Sequence, residues 1–227
     1  MIISIIIPVL NEATLIADTL LSLQPLRAAG HELIVVDGGS TDASVILSQP
    51  LADQVISGPR SRSQQMNGGA KSANGEILLF LHADTFLTNG ADRMIIQGMN
   101  GKKKVWGRFD VKLAGKHPLL RIVELLMNLR SRLSGIATGD QGIFVRRELF
   151  ERVGGFPDID LMEDIALSKI LKKYDHPLCL WQRVITSSRH WEKKGILRTV
   201  LLMWFLRFAY FYKVDPRQLA KLYYPSG

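Results

Sequence analysis

The sequence predicts an α/β fold in which a mostly parallel central sheet is flanked by helices. Over the first hundred residues, β-branched apolar runs alternate with segments of helical spacing, an order that is typical of parallel sheets. Polar residues directly follow several of these runs, as in sheets whose ligands bind outside the carboxyl ends of the strands. The chain has 227 residues, 47% of them hydrophobic, which is enough for one large domain with a substantial core.

The first half is expected to alternate strands and helices without a long insertion. Residues 3–9 form a continuous β-branched run, as expected of a strand that is buried on both faces. Because this run starts almost at the first residue and breaks at Pro8 and Asn11, we expect a strand there and not a signal peptide. The other expected elements are a helix over 12–26, a strand over 31–38, a helix opening at 40–44, a strand over 52–58, a helix over 61–73 and a strand over 76–84.

The second half is expected to be less regular and to end in an apolar tail. Its expected elements are an exposed strand over 105–113, an amphipathic basic helix over 117–134, a loop, strand and short helix over 138–156, a helix over 161–174 and a strand over 177–187. The tail segment 197–212 is strongly apolar, but Arg198 and Arg207 interrupt it. The uncharged run between them is too short to span a membrane. A core helix, a dimer surface and an interfacial helix at a membrane all fit this segment.

Charge is distributed unevenly along the chain, whose net charge is +8. Residues 1–100 carry nine acids and five bases, whereas residues 101–227 carry twelve acids and 24 bases. The basic half suits nucleic acid, anionic lipid or a phosphorylated substrate. Nucleic acid is disfavoured, because the aromatic residues cluster with Leu and Met in the tail instead of alternating with bases. The single cysteine, Cys179, allows no disulfide within the chain and fits a reducing compartment as a core residue.

Polar residues at the ends of predicted strands should share one cleft. Asn11 and Glu12 follow the first strand, Asp37 follows the second, and His82 and Asp84 follow the fourth. Asp84 is a candidate ligand of a hard divalent cation, although it would also suit the cap of a following helix. Asp37 is a candidate acceptor for a base N–H or a ribose hydroxyl, with a turn role as the alternative. The glycine-rich patterns of dinucleotide sites and of P-loops are missing from the sequence.

Three further sets of charged residues carry possible chemistry. Arg60 and Arg62 lie on one predicted loop, where two guanidinium groups would suit a diphosphate; a solvated surface pair is the alternative. Glu163 and Asp164 open a predicted helix, where one carboxylate near an acceptor would serve as a general base and both would complement the helix dipole. His190 is a candidate ligand or phosphate contact, or an ordinary surface histidine.

Six motifs in this order resemble those of family 2 glycosyltransferases with the GT-A fold. They are SIIIPVLNEA, LIVVDGGSTD, LLFLHADT, TGDQGIFVRRELF, GGFPDIDLMEDIALS and SRHWEKKG. Together with the tail, they resemble most the bacterial radical-SAM/selenodomain-associated glycosyltransferase-like subgroup. The resemblance covers essentially the whole chain. It implies one GT-A domain, with a nucleotide-sugar half over 1–100, an acceptor half over 101–190 and a helical tail over 191–227.

The resemblance implies an enzyme that transfers a sugar from a nucleoside diphosphate sugar with inversion at the anomeric carbon. UDP is the mildly preferred nucleotide. The acceptor is unknown, and the basic half and apolar tail suggest a lipid-linked or membrane-proximal one at the inner face of the cytoplasmic membrane. A divalent metal, Mn²⁺ or Mg²⁺, would be the cofactor. The aromatic tail also suits a homodimer. A sugar nucleotidyltransferase and a non-catalytic or degenerate GT-A binding protein remain the rival functions.

The resemblance also carries roles to individual residues. Asp164 would be the general base, with Glu163 beside it at the substrate and Asp140 holding an acceptor hydroxyl. Asp84 matches the metal carboxylate of the D-x-D motif, and His190 would be a further metal or diphosphate contact. His82 replaces the first aspartate of that motif, which makes Mn²⁺ a better expectation than Mg²⁺. The remaining expected substrate contacts are Pro8, Asn11 and Glu12 at the nucleotide, Asp37 at the base or ribose, Arg60 and Arg62 at the diphosphate, and Arg189 and Trp191 in a loosely matching late element.

Overall fold

One mixed eight-stranded sheet organises the chain. The computed structural model describes residues 1–102 and 104–223, without the side chains of Lys102, His190, Lys193 and Lys194. Strand order across the sheet is β3-β2-β1-β4-β7-β6-β8-β5. The strands are β1 Ile3–Val9, β2 Glu32–Asp37, β3 Gln54–Ser57, β4 Ile77–Phe80, β5 Thr85–Phe86, β6 Trp106–Leu113, β7 Ile143–Arg146 and β8 Leu178–Thr186. Strands β1 to β4 pair in parallel, β7 runs antiparallel to both of its neighbours, β6 pairs in parallel with β8, and β5 is antiparallel to β8.

Helices cover both faces of the sheet and form the tail. They are α1 Ile16–Ala28, α2 Ser44–Ser48, α3 Arg62–Ser72, α4 Ala91–Met99, α5 Pro118–Ser134, α6 Arg147–Arg152, α7 Glu163–Leu171, α8 Arg189–Lys194, α9 Ile196–Phe211 and α10 Pro216–Tyr223. The predicted α/β class is confirmed and β1 has the predicted bounds. Strand β5 and helix α4 were not predicted, and β6, expected to be exposed, is buried except at Lys112. The first helix begins at residue 16 and not at 12, because the carbonyl of Glu12 closes a separate turn by accepting the N–H groups of Leu15 and Ile16.

Two apolar clusters lie on opposite faces of the sheet. Alternate residues of β1 point to opposite sides: Ile5 and Ile7 belong to the cluster under α1, whereas Ile6 belongs to the cluster under α3. Helix α3 approaches the sheet closely at Gly69, where a Cβ atom would lie 2.5 Å from Cγ2 of Ile6. Helix α3 can therefore bring its polar residues right up to the carboxyl edge of the central strands.

The tail has one packed face and one solvent-exposed face. Leu206 and Ala209 of α9 pack with Leu219 of α10 against Met162 and Ile165 at the start of α7. The opposite face of α9 is exposed and apolar, and it comprises Leu197, Leu201, Trp204, Phe205, Phe208 and Phe211. A core role for this helix is therefore wrong for its outer face, although it holds for the inner one. In the described part of the chain, no helix combines the length and apolarity needed to cross a membrane.

Candidate active site

The loops after β1 and β2 are joined into one rigid edge. In the parallel ladder Val9 lies opposite Asp37, so both strands end at the same level. Asn11, whose φ of 55° is unusual for a residue with a side chain, donates its N–H to Ser40 Oγ at 2.9 Å and accepts the N–H of Thr41 at 2.8 Å. The Glu12 N–H donates to Ser44 Oγ at 2.8 Å. The predicted shared edge of the first two strands is therefore present, and Asn11 is the residue that fastens it.

Asp37 organises its own loop. Its buried carboxylate accepts the N–H groups of Gly39 and Ser40, each at 3.0 Å. Gly39 has a φ of +89°, the left-handed region that glycine adopts without steric cost. The turn role considered for Asp37 is thus present. A direct contact with a nucleobase or ribose stays a prediction.

Beside this edge, two carboxylates and two guanidinium groups form a charged cluster. Burial, followed by the neighbouring Asp84 carboxylate, raises the pKa of Glu12 above its ordinary value, and the guanidinium groups of Arg189 and Arg62 oppose that rise. Arg189 Nη2 lies 3.4 Å from Glu12 Oε2, so the start of α8 closes over the loop after β1. Arg189 therefore contacts Glu12 directly, and the charges of Asp84 and Arg62 act on the same carboxyl group; the roles of these residues at the substrate stay predictions. Alternating charges of this kind suit a diphosphate bridged by a cation.

His82 pairs with Asp140 across the cleft. His82 Nδ1 lies 3.4 Å from Asp140 Oδ1. Burial raises the pKa of Asp140, but the hydrogen bond and charge of His82, with the charges of Arg62 and Arg207, outweigh it and hold that pKa below its ordinary value. Gly139 makes room for the imidazole, because a Cβ atom there would lie 2.4 Å from His82 Nε2. His82, which stands at the first position of the expected D-x-D pattern, therefore links the end of β4 to the loop before β7.

The acidic pair at the start of α7 lines the same cleft. Asp164 Oδ2 accepts the N–H of Gly139 at 2.8 Å, and Oδ1 accepts the N–H of Ile165 at 2.6 Å. Burial and the neighbouring Asp164 carboxylate raise the pKa of the buried Glu163. A small cleft brings the pair together with His82 over an apolar floor; its lining residues are Met66, Phe80, His82, Gly139, Ile143, Phe156, Glu163 and Asp164.

A divalent cation fits this site only if the protein and a bound diphosphate supply its ligands together. Among the described residues, no group of three or more His, Cys, Asp or Glu side chains is arranged to hold a metal alone. Asp84 supplies one carboxylate, and the side chain of His190 lies outside the described part of the chain. Mg²⁺ and Mn²⁺ are commonly held by one or two carboxylates together with phosphate oxygens. Asp84 therefore fits a cation whose remaining ligands come from a diphosphate and water.

Three residues that were expected to contact the substrate make no interaction that ties them to the described residues of the cleft. Arg60 is exposed, and no hydrogen bond or ion pair joins it to the residues that the structure describes. Pro8 is buried inside β1. Proline has no N–H to donate, and Pro8 lies beyond the last β1–β4 hydrogen bond, in which Leu81 donates its N–H to the carbonyl of Ile6. Trp191 packs against the apolar cluster under α1. The expected roles of these three side chains at the substrate have no support in the geometry.

Four site residues were not predicted from the sequence. Gln65 of α3 donates its amide to the carbonyl oxygens of Val9 at 2.9 Å and Val36 at 2.8 Å, which fixes the ends of two strands. The charge of the Asp164 carboxylate affects the pKa of Arg130 on α5 and of Arg207 and Tyr210 on α9. For Arg207 the sequence did offer a signal, a charged residue inside an apolar helix, because charged residues are rarely buried unless they are paired.

Comparison with known proteins decides the family. The profile of glycosyl transferase family 2 matches residues 4–154, from β1 to the turn after α6. The chain belongs to glycosyl transferase family 2. Its relatives include the probable glycosyltransferase YdaM of Bacillus subtilis, 26% identical over 216 residues that cover 85% of this chain and 50% of YdaM. Another is the poly-beta-1,6-N-acetyl-D-glucosamine synthase of Staphylococcus epidermidis, 24% identical over 78% of this chain and 47% of the synthase. The chain thus spans about half the length of these family 2 relatives.

Solved structures confirm the GT-A fold of this family 2 chain. TarS residues 1–349 of Staphylococcus aureus align with a TM-score of 0.67, 19% identity, and coverage of 83% of this chain and 61% of TarS. The mannosyltransferase PcManGT of Pyrobaculum calidifontis, solved with GDP-Man and Mn²⁺, aligns with a TM-score of 0.62, 22% identity, and coverage of 81% and 56%. The findings identify the family, and membership of the radical-SAM/selenodomain-associated subgroup stays a prediction.

Proposed function

We propose that the protein is an inverting glycosyltransferase that moves a sugar from a nucleoside diphosphate sugar to a hydroxyl acceptor. The observation that carries this proposal is the convergence of Glu12, Asp84, Arg62 and Arg189 beside the acidic pair of α7. Family membership supports it, because this cluster lies at the carboxyl ends of the central strands, where α/β sheets bind their ligands.

The donor side is assigned to the edge of β1, β2 and β4. The loops after β1 and β2 bind the nucleoside, and Arg62 and Arg189 contact the diphosphate. TarS was solved with UDP-GlcNAc and PcManGT with GDP-Man. These two precedents support a nucleotide-sugar donor in general, with UDP as our first choice of base.

Asp84 is assigned as the protein ligand of a divalent cation. When bound, such a cation offsets the negative charge that develops on a departing diphosphate. Glucosyl-3-phosphoglycerate synthase of Mycobacterium tuberculosis, solved with UDP and either Mn²⁺ or Mg²⁺, supports the choice of metals. The Arg62 and Arg189 guanidinium groups supply further positive charge at the same end of the donor.

On the acceptor side, Asp164 takes the proton of the attacking hydroxyl. Its two hydrogen bonds from backbone N–H groups hold the carboxylate in one orientation, which general-base catalysis requires. His82 of the His82–Asp140 pair lines the same cleft as the base, and Asp140 positions the acceptor. Attack by the hydroxyl oxygen from the face opposite the departing diphosphate inverts the configuration at the anomeric carbon.

The exposed apolar faces of α5 and α9 support an acceptor at a membrane surface. Neighbouring exposed residues on α5 are Ile122, Leu125, Leu126, Leu129 and Leu133. Helix α5 packs on α9, whose outer face is apolar as well. Exposed apolar patches of this extent mark contact sites, and basic residues such as Arg121 and Arg198 border them. A second copy of the chain is the other occupant that this surface suits.

A thermal-shift panel tests the donor assignment. Each nucleoside diphosphate is added with and without Mn²⁺, since a ligand of the native state raises the melting temperature by mass action. We expect one nucleotide to stand out and Mn²⁺ to enlarge its shift. The anomeric configuration of the product, read by NMR, then tests inversion. No shift with any nucleotide would favour a degenerate binding protein, and pyrophosphate release from a nucleoside triphosphate would favour a nucleotidyltransferase.

A further inference from the structure

Two half-buried arginines of the acceptor side, Arg130 and Arg207, have guanidinium nitrogens that lack an acceptor among the described residues. The Nε and Nη2 atoms of Arg130 and the Nε atom of Arg207 are buried, with no hydrogen-bond acceptor among the residues that the structure describes. A guanidinium group that loses water without gaining an acceptor destabilises the native state. Proteins retain such groups where a ligand supplies the missing acceptors.

The fold places the two helices that carry these arginines next to each other, and one of them against the start of α7. Helix α5, which carries Arg130, packs on α9, which carries Arg207. The inner face of α9 packs on Met162 and Ile165, the residues that flank the acidic pair of α7. Arg207 therefore directly follows Leu206, which packs against the start of α7. Arg130 lies one turn before the end of α5, the helix that packs on α9.

The electrostatics agree with this placement. Burial and then the neighbouring Arg207 lower the pKa of Arg130 to about 10, while Asp164 and Asp140 raise it. Burial lowers the pKa of Arg207 as well, again opposed by Asp164 and Asp140. Two like charges that approach each other in a partly dry site repel, so an anion between them would relieve the repulsion.

We propose that Arg130 and Arg207 form a binding site for a phosphate group on the acceptor. This inference rests on the proposed transferase function and adds the acceptor class: a molecule whose attacking hydroxyl lies near a phosphomonoester. Arginine suits this role, because its planar fork donates two parallel hydrogen bonds to phosphate oxygens. The donor diphosphate is a less suitable occupant, because Arg62 and Arg189 belong to the cluster with Glu12 and Asp84 that is already assigned to it.

The phosphate has two candidate sources, and the test separates them. One is a soluble phosphomonoester, for which glycerol 3-phosphate is the probe. The other is a phosphate headgroup on a lipid, for which phosphatidylcholine vesicles with and without phosphatidic acid are the probe. Binding of glycerol 3-phosphate alone would assign a soluble acceptor. Binding that requires the vesicles with phosphatidic acid would assign a lipid phosphate, as the exposed face of α9 suggests.

The variants are Arg130→Gln and Arg207→Gln, with Arg93→Gln as the matched control. Arg93 is an exposed base on α4, a helix that belongs to neither the cleft nor the apolar surface of α5 and α9. We expect each site variant to weaken phosphate binding about tenfold or more, which corresponds to a lost charged hydrogen bond. The control should change it less than about twofold. Affinity for the nucleoside diphosphate with Mn²⁺ should be unchanged in all three variants.

Stability without ligand provides the second readout. Because three nitrogens of the two guanidinium groups are buried with no acceptor among the described residues, both Gln variants should melt at the same temperature as wild type or higher. Arg207→Lys, which keeps the charge but loses the fork, should bind phosphate with intermediate affinity.

Three results would overturn the proposal. Phosphate affinity that is unchanged in both Gln variants would exclude the site. Weakened nucleotide binding in both would assign the arginines to the donor diphosphate. Melting temperatures lowered by several degrees would show a structural role. If no nucleotide binds to wild type but phosphate binding depends on both arginines, the transferase proposal fails while the phosphate site stands.

Discussion

Replacement of Asp164 by asparagine tests the proposed base, and the structure allows its structural cost to be separated from its chemical one. Both carboxylate oxygens accept a backbone N–H, from Gly139 at 2.8 Å and from Ile165 at 2.6 Å. Asparagine offers one oxygen, so one N–H would face an amide NH₂ group. Losing a hydrogen bond to a charged acceptor costs about 1.5–3 kcal/mol. For a domain of this size we expect the melting temperature to fall by about 3–12 °C.

The chemical effect should be far larger than this loss of stability explains. A positioned general base contributes about 10²–10⁴-fold to the rate, so kcat should fall by about that factor in Asp164→Asn. Donor affinity should change by less than about threefold, because Asp164 lies on the acceptor side. The assay is the release of nucleoside diphosphate from the preferred donor, with water as acceptor, at a temperature where both proteins are folded.

Asp160→Asn is the matched control, because Asp160 is an exposed carboxylate on the loop before the same helix. It should retain wild-type stability and rate. The reasoning would be refuted if folded Asp164→Asn turned over the donor within about fivefold of wild type. If Glu163→Gln then lost the activity instead, the base would be Glu163, whose pKa is raised by burial and by the Asp164 carboxylate.

Three further predictions concern stability and metal dependence. Burial and the Asp164 carboxylate raise the pKa of Glu163 in the folded state, so the stability that Glu163 contributes is present below its unfolded pKa and is lost as pH rises through its folded pKa. By urea unfolding, Glu163→Gln should be more stable than wild type at pH 8 and equally stable near pH 4. Equal stability at both pH values would contradict this. Gly139→Ala should lower the melting temperature by displacing His82, whereas Gly68→Ala, in open space on α3, should raise stability by about 0.5–1 kcal/mol; the reverse order would refute the packing argument. Asp84→Asn should abolish the Mn²⁺-dependent part of the nucleotide thermal shift and keep the shift seen in EDTA, and an undiminished Mn²⁺ effect would remove Asp84 from the metal.

Much of the fold followed from local patterns, because buried parallel strands are unbroken β-branched runs. Residues 3–9 show this directly, and their neighbours in the sheet were predicted for the same reason. Strand β5 and helix α4 were not predicted. The segment from Thr85 to Met99 carries weak periodicity at its start, and β5 exists only through its pairing with β8.

The candidate site was predicted where it depends on strand ends and missed where it depends on helices meeting in space. Glu12 and Asp84 follow strands whose adjacency the alternating pattern implies. Arg130 and Arg207 are 77 positions apart, and only the packing of α5 on α9 reveals that their helices are neighbours. A sequence match likewise cannot tell that the partly buried Trp191 packs against the core; its role at the substrate stays a prediction.

The attachment of the tail gives the acidic pair a second support. Met162, just before that pair, has a φ of 71°, a strained value for a residue with a side chain. Leu206 and Leu219 cover it. A truncation after residue 195 would free this backbone to relax and would swing both carboxylates out of register, even though every motif shared with the family would remain. A chain that ends at residue 195 should therefore keep all six motifs and still hold its acidic pair poorly.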